Sequence, residues 1–132
     1  MSKDAKVLVI PCSGIGKALG TVGRVAMYEV IEGLRPNEAT TTCLPLLTIG
    51  DEAVLKIVRD NPCISIDGCP AQCARKNIEA SKGKLAASFM VTDVLRENKS
   101  LKPEAVTELR PKGLKLAKIL AQKIAQKIDE IK

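Results

Sequence analysis

Apolar residues in this chain follow two patterns. Short unbroken runs alternate with stretches where apolar positions recur every three or four residues. Residues 6–11 (KVLVIP) form the first run. Its continuity predicts a strand covered on both faces, as in a parallel sheet. Across residues 21–33, Val22, Val25, Ala26, Val30 and Ile31 share one side of a predicted helix. Arg35-Pro36-Asn37 predicts a turn. Residues 39–43 (ATTTC) are rich in β-branched side chains and predict a second strand. Asp51 suits the N-cap of a helix through about Arg59, which Asn61-Pro62 ends. Residues 63–66 (CISI) predict the third strand, and Asp67-Gly68 a turn. Cys69-Pro70 opens a predicted helix to about Ser81, with proline at a favoured first position and Gly83 as its stop. Residues 85–91 (LAASFMV) predict a fourth strand, ended by Thr92-Asp93. A short helix or loop then leads past Pro103 and Pro111.

Strands alternating with helices at this spacing predict right-handed β-α-β units. The expected fold is α/β: a small three-layer α/β/α sandwich around a mostly parallel sheet of about four strands in order 2-1-3-4. At 132 residues the chain is expected to form a single domain, 1–132. Its composition, 45% hydrophobic and 27% charged, suits a packed core.

A last amphipathic element closes the chain. Between 112 and 131, Ala117, Leu120, Ile124, Ile128 and Ile131 fall on one helical stripe. Lys115, Lys118, Lys123 and Lys127 lie off it. The net charge of +6 is concentrated here. Residues 1–98 hold 12 Lys and Arg against 11 Asp and Glu; residues 99–132 hold 9 against 4. The expectation is a helix packed on the domain with a solvated basic face, open to a protein partner.

Absences narrow the chemistry. No histidine is present, which removes Ser-His-Asp and Cys-His catalysis and every His-ligated metal site. There is no tryptophan, and Tyr28 and Phe89 are the only aromatic residues. Single-stranded nucleic acid binds on several exposed rings, so no nucleic-acid partner is expected. No apolar run approaches the roughly 20 residues that span a bilayer, and the first residues lack the apolar core of a signal peptide. A cytoplasmic protein is expected.

Five cysteines, an odd number without a secretory signal, argue against a disulfide framework and for metal or redox chemistry. Cys12 falls at the carboxyl end of predicted strand one and Cys43 at that of strand two. Cys69 lies just past strand three, and Cys73 one helical turn on. In a parallel sheet these ends share one edge, around the point where open α/β sheets place their sites. Neighbouring strands are about 4.8 Å apart. Loops from three of them can therefore bring four sulfurs to ~2.3 Å from one ion. Cys63 starts strand three, on the opposite edge between apolar neighbours, and is expected in the core.

The loop after strand one also invites a phosphate reading, which fails three ways. For a Walker A motif ending in Gly16-Lys17, Pro11 stands in the first glycine position and Ala18 in the hydroxyl position. A dinucleotide fingerprint from Gly14 and Gly16 meets Leu19. A Cys-x5-Arg loop from Cys12 meets Ala18.

The strand followed by Cys12-Ser13-Gly14, then residues 66–76 (IDGCPAQCARK), resembles the DGC-domain family of candidate zinc-binding proteins. The family takes its name from the Asp-Gly-Cys triplet, here Asp67-Gly68-Cys69, and the resemblance covers about residues 6–95. It implies four chelating cysteines, matched here by Cys12, Cys43, Cys69 and Cys73. The residues and the resemblance thus agree on a Zn²⁺ site of those four thiolates. Its charge of −2 would be offset by Lys17, Arg75 and Lys76 and by helix N-terminal amides. Asp67 is expected to shape the turn rather than bind metal. An iron–sulfur cluster on the same cysteines, or metal-free thiol and persulfide transfer through Cys12, stand as alternatives.

Overall fold

A computed structural model describes residues 6–12, 17–106 and 109–131. Four strands form one parallel sheet: β1 (Val7–Pro11), β2 (Ala39–Thr40), β3 (Pro62–Asp67) and β4 (Lys84–Met90). Their order is β2-β1-β3-β4, as the alternating pattern predicts. Val7 pairs with Ala39, and Pro11 with Ile66; Asp67 pairs with Met90.

The unbroken apolar run of β1 is buried throughout because both faces of the sheet are covered. Its side chains alternate between two cores. Val7 and Val9 join Ile64 and Ile66 under α1 (Ala18–Tyr28), α5 (Val91–Glu97) and α6 (Pro111–Ile131). Leu8, Ile10 and Cys63 face α2 (Leu44–Thr48), α3 (Glu52–Asp60) and α4 (Cys73–Ala80). Asp51 caps α3 as expected, its carboxylate accepting from the Val54 amide at 3.1 Å.

The C-terminal stripe packs as its spacing predicts. Leu116, Leu120, Ile124 and Ile128 of α6 are fully buried in the first core. Lys115 and Lys118 stay exposed, whereas Lys123 reaches Glu97 at 3.1 Å. The far end of α6 is tied down by Arg35, which donates to both Asp129 oxygens at 2.9 and 2.6 Å.

Three local expectations change. The helix expected at 21–33 starts earlier, at Ala18, and ends in a wide π-helical segment, Glu29–Leu34. The second strand stops at Thr40, and Cys43 instead sits at the N-cap position of α2. The helix expected from Cys69 begins only at Cys73, because Gln72 adopts a left-handed conformation with φ 51°. That kink takes Cys69 out of the helix, so Cys69 and Cys73 do not share a helix face. Among the described residues no helix is long and apolar enough to cross a membrane.

Candidate functional site

The parallel sheet directs the carboxyl ends of β1 and β3 to one edge, with Pro11 beside Ile66 in register. Cys12 follows Pro11 directly, and its backbone amide donates to the Ile66 carbonyl at 2.9 Å, which fixes it against β3. Asp67 ends β3, and Gly68 and Cys69 make the turn beyond it. The Gln72 amide donates back to the Cys69 carbonyl at 3.1 Å, closing that turn before α4.

Gly68 lets this turn touch α1. A Cβ there would stand 3.0 Å from the Leu19 carbonyl carbon and 3.1 Å from the Gly20 nitrogen. Both are backbone atoms that cannot swing aside. The result is a small depression, about 20 Å³, lined by Cys12, Lys17, Gly20, Gly68 and Cys69. That is room for one water or ion. On its other side Cys12 opens onto a larger cavity of about 560 Å³. Cys43, Arg24, Met27 and Tyr28 are among its walls.

Asp67 is buried, and its carboxylate accepts from the Ala74 amide at 2.9 Å and the Arg75 amide at 3.1 Å. It caps α4 across seven residues, and so fixes Cys73 at the first turn. These two amides serve Asp67, not a sulfur. Burial, then the charges of Cys73, Asp67 and Cys69, push the Cys12 thiol up to about 11. The Cys73, Cys69 and Asp67 groups therefore surround Cys12 closely enough to be felt electrostatically. Cys43 and Cys73 are exposed; Cys12 and Cys69 are half-buried. Cys63 is buried on the opposite side of the site, its thiol pushed up to about 11 by burial.

Among the described residues, no three Cys, Asp or Glu groups gather in a metal-holding arrangement. Cys12 lines both depressions, with Cys43 in the larger and Cys69 in the smaller; Cys73 lines neither, but stands close enough to Cys12 to act on its thiol. The donor chemistry still fits a thiophilic metal. Soft sulfur donors and the absence of histidine favour zinc or an iron–sulfur cluster over harder cations. Of the expected counter-charges, Lys17 lines the small depression, whereas Arg75 is engaged by Glu79 at 2.7 Å.

The DGC-domain family model matches residues 8–112, from β1 to the start of α6. The chain belongs to the DGC-domain family. No curated protein matches this DGC domain, nor does any solved structure. The match runs past the expected limit of about residue 95 and ends where the basic helix begins.

Arg24 and Tyr28 were not marked by the sequence pattern. They lie one helical turn apart on α1 and line the cavity beside Cys12. Their spacing of four was visible, but nothing local tied that face of the helix to Cys43.

Proposed function

We propose that this DGC domain is a zinc–thiolate protein that handles thiols or sulfur, with Cys12, Cys43, Cys69 and Cys73 as the metal ligands. The observation that supports it best is the position of Cys12. It lies against β3, is felt by Cys69 and Cys73, and shares a cavity wall with Cys43. Bound zinc would keep these thiols deprotonated at neutral pH and polarise a sulfur ligand. The chain's own residues prepare the edge for it. Asp67 holds the α4 terminus that carries Cys73, and Gly68 lets the Cys69 turn lie against α1. Lys17 stands where a cation offsets excess thiolate charge.

The test is metal content after each Cys→Ser change. Cys12→Ser, Cys43→Ser, Cys69→Ser and Cys73→Ser should each lose zinc, and Cys63→Ser should keep it. Full zinc retention in Cys43→Ser and Cys69→Ser would overturn the four-cysteine site.

A further inference from the structure

The larger cavity carries a feature that the metal reading leaves unused. Arg24 is half-buried in its wall, and no described residue pairs with it through a hydrogen bond or salt bridge. A guanidinium beside mostly apolar walls is a ready partner for an anion. Among the described residues, no carboxylate lines the cavity and Arg24 is the only charged side chain that does. The remaining walls are mostly apolar: Met27, Leu44 and Pro45 line the cavity together with Thr42 and Tyr28. A volume of about 560 Å³ falls within the usual range for small-molecule sites.

We infer that this cavity binds a small organic carboxylate, its carboxylate paired with Arg24 and its apolar body against Met27 and Leu44. A carboxylate is favoured over a phosphate on charge grounds. One guanidinium matches one monoanion with two parallel hydrogen bonds. A phosphate carrying up to two charges would be left partly uncompensated among apolar walls. Arg24 lies inside α1, so the backbone amides around it are committed to the helix and add no further anion donors. The inference does not depend on the zinc site, although Cys12 and Cys43 would flank the bound acid.

The experiment is amide chemical-shift titration of the full chain, zinc content recorded alongside, with hexanoate, phenylacetate, hexanamide and inorganic phosphate as probes. Hexanoate or phenylacetate should shift the amides of Thr41, Thr42 and Cys43, and hexanamide should not. Arg24→Gln should weaken the acid about 10-fold or more, with zinc unchanged. Arg24→Lys should fall between the two, since an ammonium cannot form the paired bonds. If Arg24→Gln fails to fold, the acid–amide comparison and Arg24→Lys decide alone. The proposal is overturned if neither acid binds, or if hexanamide binds as well as hexanoate. It is likewise overturned if phosphate binds more tightly than either acid. Loss of zinc in Arg24→Gln with hexanoate binding intact would also overturn it, assigning the arginine to the metal centre.

Discussion

Asp67 carries the most structural weight of any single residue at the site. Its two oxygens satisfy two α4 amides that would otherwise be buried without partners. Asp67→Ala is therefore expected to cost about 1–2 kcal/mol in urea unfolding while zinc stoichiometry is retained. Zinc loss without a stability change would instead make Asp67 a ligand. In sequence this residue read as a turn former, because its hydrogen-bond partners stand seven and eight positions away. Cys63 was more legible: its apolar neighbours place it in the core, where it is found. Its folded pKa, about 11, lies above the ordinary 9.0. The folded state thus favours the neutral thiol. Its contribution to stability is complete below about pH 9 and is lost as pH rises towards 11. Cys63→Ala should flatten that alkaline decline in thermal melts; an unchanged decline would assign it to other groups.

At the level of elements, strands and helices were legible wherever periodicity was long or apolar runs were unbroken. The chain around the site was not, because short-range geometry governs it. Only the backbone at Gln72 decides that α4 starts at Cys73 rather than Cys69. Helix α2 is five residues long, too short for a periodic signal, although Pro45 in its first turn was a usable cue. Missing α2 extended the second strand to Cys43 and made the four cysteines look more uniformly placed than they are. The Asp-Gly turn was visible, but the reason for its glycine was not. Gly68 has no left-handed φ among the described backbone; it is needed for close approach to α1. Gly68→Ala should push the Cys69 turn off Leu19 and Gly20, costing about 1–3 kcal/mol and weakening zinc retention. Gly83 gives a comparison away from the site. A Cβ there would meet Val58 Cγ1 at 2.5 Å, so Gly83→Ala should destabilise comparably without affecting zinc.

Across the whole molecule, the sheet is a platform that binds two separate cores and presents one chemical edge. The C-terminal helix belongs to that platform even though it lies almost wholly outside the family match. Its charge alone suggests a detachable binding arm, yet Leu116, Leu120, Ile124 and Ile128 complete the core over α1 and α5. Fully burying each such side chain contributes roughly 1.5–3 kcal/mol. Ile124→Ala should cost about 2–5 kcal/mol, whereas Lys115→Glu with Lys118→Glu should leave the melting temperature nearly unchanged. Removing residues 111–132 should unfold the domain; a cooperative melt in the truncated chain would contradict this packing role. The most direct test of the zinc–thiolate assignment is elemental analysis with an absorption spectrum on one anaerobic preparation of the full chain. A colourless protein with about one zinc per chain is the predicted result. Iron with sulfide and absorption near ~400 nm, or a chain without stoichiometric metal, would contradict it.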